Sequence, residues 1–204
     1  MKILAITNCS QEPTTIEELQ VISIPDSSLI KDGKPMFLPD LTRDYALAPF
    51  IALRLCKVGK HIAPRFAHRY CNAYAIGVNL IDTARLEHAR QHGLPWSGAC
   101  TCDASVAVSS FVETDFSQQP TVMYNINFGE MPLYATQFCF DNIARTLLSK
   151  ISEQYTFKIG DLILLQHHTD NLTLKAVKDT NVRGFISDTA ADAIKQEILD
   201  FNIK

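Results

Sequence analysis

The stretch Tyr45–Ile62, YALAPFIALRLCKVGKHI, decides how the chain is read. From Leu47 to Cys56 it is apolar apart from Arg54, with Pro49 in its middle, and it turns at Lys57-Val58-Gly59-Lys60. Such a run reads as a buried core strand. It contains no carboxylate. Strand signals continue at residues 73–81, 104–112, 120–128, 162–167, 171–177 and 182–187, and MKILAI at the start is a further short apolar run. The segment IPDSSLIKDGKPMFLPD carries the Pro, Asp and Gly punctuation of turns around brief extended pieces.

Three segments read as helical. APRFAHRYCNAY follows Ile62 with Pro64 near its first turn; TARLEHARQHG starts on Thr83 as a cap and ends at Gly93. FDNIARTLLSKISEQY sets Ile143, Leu147 and Ile151 four apart behind Asp141 as a cap. At the carboxyl end, ISDTAADAIKQEIL reads as a short helical insertion feeding a final strand, because ILDFNIK alternates Leu199, Phe201 and Ile203 with polar residues. The fold class is therefore mainly β with a few helices, α+β, without repeats or low-complexity tracts.

With 204 residues, 47% hydrophobic and 20% charged, the chain is long enough for a sizeable core. A net charge of −3 and scattered basic residues give no stripe for nucleic acid or for an anionic membrane, so neither is expected as a partner. The apolar run at the start is too short for a signal-peptide core, and no stretch approaches the ~20 residues of a membrane span. Six cysteines in a chain of this size read as free thiols. A soluble, reducing, cytoplasmic setting is expected.

No Walker loop, GxGxxG, GxSxG or HExxH occurs. Two weaker clusters remain: Cys100-Thr101-Cys102-Asp103, and Gln166-His167-His168-Thr169-Asp170. Together they offer ligands for zinc, but in a strand only alternate residues share a face, and buried thiols with surface histidines are the simpler reading. His61 and His68 read as ordinary, and Trp96 as a buried anchor.

In order along the chain, KPMFLPD, RLCKVGK, FAHRY, GVNLIDTAR, GLPWSGACTCDAS and the helix before TFKIGDLILL resemble the fumarylacetoacetate hydrolase family. The resemblance runs from about Lys34 to Leu165 and resumes in ILDFNIK. It implies a mixed β-sandwich roll over residues 34–204, preceded by a short segment, 1–33, as a reduced lid. It also implies a homodimer and chemistry on β-keto acid compounds at Mg²⁺ or Mn²⁺.

The same resemblance locates the family's site in this chain. A Glu-x-Glu pair on one strand face falls on Ala48 and Phe50, and an Asp of a pattern like GIDFTARD falls on Asn79. A Lys two residues before a Phe-Asp pair falls on Cys100, with Trp96 and Asp103 in register. The glycine-rich TGTP segment after GDLIL is replaced by Leu165, Gln166, His167 and His168. The lid, ITNCSQEPTTIEEL, has no histidine, and Glu12, Glu17 and Glu18 have no assignable role.

Ala48, Phe50, Asn79, Cys100, Asp103, Gln166 and His167 are thus expected to line a degenerate pocket that binds no metal. Hard divalent cations take oxygen ligands, which Ala and Phe lack and Asn supplies only as a neutral group. Losing a pocket Lys with its partner acids avoids a buried unpaired charge costing on the order of 3–5 kcal/mol. A binding or structural dimer, with a small keto-acid-like ligand, is the reading that follows. The competing reading is an active enzyme of β-keto acids, or one using Cys100, Cys102 and His167 or His168.

Overall fold

The computed structural model describes residues 1–7, 19–31, 33–129, 131–166, 175–188 and 196–204. Its centre is the pair of long strands β4 (Tyr45–Leu55) and β5 (Cys71–Asp82), antiparallel along almost their whole length. Every residue of β4 but Arg54 is buried, because both faces of the strand are covered, which is why it reads as a near-continuous apolar run.

Six further strands complete this sheet. β1 (Ile3–Ile6) runs parallel to β10 (Leu162–Gln166), which pairs antiparallel with β4. β2 (Val21–Ile24) closes that edge, while β6 (Val106–Val108) and β3 (Leu29–Ile30) extend the other; β7 (Val112–Glu113) pairs with the start of β5. Strands from residues 1–33 thus belong to the large sheet. A second, antiparallel sheet has the order β12 (Gln196–Asn202), β11 (Asn181–Asp188), β8 (Thr121–Phe128), β9 (Met131–Cys139).

Period two sorts the large sheet into two faces. Leu4, Ile6, Leu47, Ile51, Leu53, Ile76, Val78 and Ile163 join Tyr124, Ile126, Val182 and Phe201 of the second sheet in the main core. Helix α3 (Asn142–Gln154) adds Ala144, Leu147, Leu148 and Ile151 to it. The opposite face carries Ile3, Ala5, Ala48, Phe50, Ala52, Ala75, Leu162 and Leu164, and helices α1 (Thr83–Gln91) and α2 (Ser97–Cys100) contribute Leu86, Ala99 and Cys100 to it. Among the described residues no helix is long and apolar enough to cross a membrane.

The α+β class and the Asp141 cap stand: Asp141 Oδ1 accepts from the Ile143 and Ala144 N–H groups at 2.9 and 3.2 Å. Four local expectations change. Residues 63–74 form no α-helix; a 3-10 turn, Pro64–Tyr70, leads directly into β5. Cys71–Tyr74 are drawn into the sheet by pairing with the end of β4 and with β7. The cap of α1 is Asp82, whose carboxylate accepts from the Arg85 N–H at 2.9 Å, not Thr83. The signal at 104–112 is split between β6 and β7. β9 was unexpected because Pro132 argues against a central strand; it lies at the sheet edge, where proline is tolerated. The helical insertion before β12 and most of 171–177 lie outside the described residues.

Candidate functional site

The site is built on the second face of the β4–β5 pair. Ala48 stands directly opposite Asn79, and Phe50 opposite Gly77. On the other flank of β4, Gln166 stands opposite Phe50; on the other flank of β5, Val106 stands opposite Asn79. Residues facing one another across strands share a face, so Gln166, Phe50, Ala48 and Asn79 all present their side chains to the same side. All four are fully buried.

Phe50 fits because Gly77 has no side chain. A Cβ there would collide with the Ala107 carbonyl oxygen and stand 2.5 Å from Phe50 Cζ. The ring therefore lies on bare backbone of β5, in space that only glycine leaves open. Gly77 was not singled out by sequence reasoning as part of the site; its place opposite Phe50 becomes evident only with the strand register.

α2 brings the fourth position over the sheet. Asn79 Nδ2 donates to the Cys100 carbonyl oxygen at 3.0 Å, tying the helix end to β5. Asn79 Oδ1 is buried with no hydrogen-bond partner among the described residues. The Cys100 thiol belongs to the same apolar cluster as Ala48 and Phe50. Burial pushes it up to about 11, against a smaller downward pull from the Arg90 guanidinium. It is a neutral thiol at physiological pH.

Ala48, Phe50, Asn79, Cys100 and Gln166 are therefore gathered at one place. Asp103 is not among them: it is exposed, and its Oδ1 accepts from Ser27 Oγ at 2.6 Å. The carboxylate lies on the turn after α2, beyond the point where Asn79 anchors that helix. Cys102 is exposed, whereas Cys100 is buried. His167 and His168 lie outside the described residues, as do Glu12, Glu17 and Glu18. The carboxylates nearest the register are otherwise engaged: Asp82 caps α1 and pairs with Arg43 at 2.6 Å, and Asp44 pairs with Lys175 at 2.6 Å.

The donor set does not fit Mg²⁺ or Mn²⁺. Among the described residues it offers an alanine, a phenylalanine, the neutral amide oxygens of Asn79 and Gln166 and a protonated thiol, with no carboxylate, where a hard cation needs several oxygen ligands, usually including carboxylates. Among the described residues no group of three His, Cys, Asp or Glu side chains is placed to hold a metal ion.

The geometry defines a two-sheet α+β protein whose distinctive feature is a buried, mostly apolar cluster on the outer face of its longest strand pair. No protein-family model matches the chain. Over 154 residues, 74% of this chain and 69% of the relative, it is 25% identical to the mitochondrial oxaloacetate tautomerase FAHD1 of Mus musculus. It is also 36% identical over 96 residues to a probable quinone oxidoreductase of Schizosaccharomyces pombe, which covers 47% of this chain and only 27% of that protein.

Among solved structures, a fumarylpyruvate hydrolase of Pseudomonas aeruginosa in complex with Mn²⁺ and pyruvate superposes with a TM-score of 0.79, 14% identity, and coverage of 100% of this chain and 89% of that one. Yeast ynq8, a fumarylacetoacetate hydrolase family protein, gives a TM-score of 0.79, 15% identity, and coverage of 100% and 92%. The fold is that of these solved structures of fumarylacetoacetate hydrolase family proteins.

Proposed function

We propose that this chain is a fumarylacetoacetate hydrolase-like protein whose ancestral metal site has become core, and that it acts as a small-molecule-binding or structural homodimer. One observation carries the reading: Ala48, Phe50, Asn79 and Cys100, the positions where the family resemblance places two Glu, an Asp and a Lys, are buried together, and none of the four is itself charged. The losses are mutually consistent. Removing the acids alone would strand a lysine, and removing the lysine alone would leave three acids crowded together; here all four positions are neutral. Phe50 adds apolar burial worth about 1.5–3 kcal/mol.

Metal content and a thermal-shift titration test this. The purified protein is expected to carry no stoichiometric Mg or Mn, and millimolar Mn²⁺ is expected to leave its Tm unchanged. A cation bound only to the native state at a hundredfold excess over Kd would add about 2.7 kcal/mol and be plainly visible. A saturable upward shift with Mn²⁺ overturns the proposal.

A second reading, an active hydrolase, decarboxylase or isomerase of β-keto acid compounds, draws on the oxaloacetate tautomerase relative and on the unpartnered Oδ1 of Asn79, a buried acceptor in the same cluster. Turnover of oxaloacetate or an acylpyruvate that is lost in Asn79→Leu would establish it.

A further inference from the structure

Between Asp44 and Asp82 the chain has no carboxylate, yet it carries Arg54, Lys57, Lys60, Arg65 and Arg69. The fold brings most of these to one end of the molecule. Gly59 and Phe157 exchange backbone hydrogen bonds at 3.2 and 2.7 Å, so the turn Lys57–Lys60 lies beside the turn Lys158–Gly160, past the ends of β4 and β10.

Two apolar side chains stand out from this double turn: Val58 is 64% and Ile159 72% exposed. Lys57, Lys60 and Lys158 flank them, all exposed. Behind them, the 3-10 turn Pro64–Tyr70 presents Arg65 and Arg69, each 4.7 Å from the Phe66 ring centroid. The end is held to the body by the His61 and Ile62 N–H groups, which donate to the Ser152 carbonyl and Oγ at 2.9 and 2.8 Å.

Lys57, Lys60, Arg65, Arg69 and Lys158 form no ion pair among the described residues, while the neighbouring acids are engaged: Asp161 by Lys2, Glu153 by Lys150 and Glu113 by Arg54. Asp115, whose carboxylate accepts from the Ser117 N–H, is a further acid near this end, beside His68. Basic residues that are scattered along the sequence, with no stripe to suggest an anionic membrane, are thus brought by the fold to one cationic surface on a chain of net charge −3, which changes that expectation.

We propose that this end docks the protein on an anionic lipid bilayer. Val58 and Ile159 enter the boundary between headgroups and acyl chains, while Lys57, Lys60 and Lys158 reach lipid phosphates and carboxylates around them. Arg65 and Arg69 add field from behind. A nucleic acid fits the same charges but gives Val58 and Ile159 no apolar medium, and the Phe66 ring already carries two guanidinium groups where a base would stack.

Co-sedimentation with vesicles of phosphatidylcholine alone and of phosphatidylcholine with about 30 mol% phosphatidylserine tests this. The full chain is expected to pellet with the second and not the first, and to be released by raising salt, because screening at 1 M shortens the Debye length to about 3 Å. Lys57→Gln/Lys60→Gln/Lys158→Gln is expected to lower partitioning on the order of 100-fold, about fivefold per lysine. Val58→Ser/Ile159→Ser is expected to weaken binding with its salt dependence intact. All five side chains are exposed, and an unchanged Tm certifies the fold of each variant.

Failure of the wild type to pellet overturns the proposal, as does equal binding to both vesicles or equal binding by the lysine variant. Binding to an RNA or DNA oligonucleotide without binding to vesicles also overturns it. So does loss of self-association in Val58→Ser/Ile159→Ser, since the tip would then be a contact between copies.

Discussion

At the scale of single residues, Phe50 concentrates the fate of the site. It is fully buried on the backbone of Gly77, so Phe50→Ala leaves a void that strand backbones cannot close, and a loss of about 3–5 kcal/mol is expected in urea unfolding. Phe50→Glu tests the ancestral arrangement from the other side: with Ala48, Asn79 and Cys100 unchanged it buries an unpaired carboxylate, and added Mn²⁺ is not expected to rescue it. The cysteines give a chemical check. A thiol reagent at pH 8 is expected to label Cys102, which is exposed, and to leave Cys100 unmodified until the chain unfolds, because burial holds that thiol up at about 11. Rapid native labelling of Cys100 would mean that the cluster opens to solvent.

At the scale of elements, two local devices have separable costs. Asp141→Ala removes the acceptor for two N–H groups at the start of α3, and a loss of about 1 kcal/mol is expected with the fold intact. Gly77→Ala is expected to be far worse although it adds one methyl group, because the obstacle is the Ala107 carbonyl of the adjacent strand as well as the Phe50 ring. Thermal melts of the two variants side by side measure the contrast. These elements also show what could be read from the chain. β4 was legible because an eleven-residue stretch apolar but for Arg54 has few alternatives, and α3 because its apolar spacing and its cap agree. The 3-10 turn at Pro64–Tyr70 and edge strand β9 were not, since each is fixed by partners distant in sequence. The candidate site followed the same rule. Ordered family landmarks pick out Ala48, Phe50, Asn79 and Cys100, and the strand register sets them side by side. Asp103 went astray because register with a family pattern says nothing of how a turn leaves a short helix.

At the scale of the whole molecule, assembly and acid stability carry the remaining expectations. Sedimentation velocity at tens of micromolar is expected to give a dimer under the proposed function, and a monomer would remove the structural half of that reading. Acid sensitivity follows from Asp161. Burial raises its carboxyl, but the Lys2 ammonium and the N–H groups of Lys2 and Lys158 more than offset this, and the net position is below the usual carboxylate range. Because the folded value is the lower one, the contribution is complete above the unfolded value of about 3.9 and is lost as pH falls through the folded value. Asp161→Asn is expected to be less stable than wild type at pH 7, with the gap narrowing below about pH 4. Urea midpoints at the two pH values check this.

The parallel pairing of β1 with β10 joins Ile3 to Leu162, and Lys2 to Asp161 beside them. During synthesis, β1 must therefore wait for β10, which follows it far along the chain. At ordinary elongation rates of about 5–20 residues per second that delay is roughly 8–30 s. Throughout it ILAI can pair with β2 along one edge, while the edge that will meet β10 stays open. An open strand edge is a template for wrong pairing, so the yield in cells is expected to depend on translation speed more steeply than the stability of the finished fold suggests.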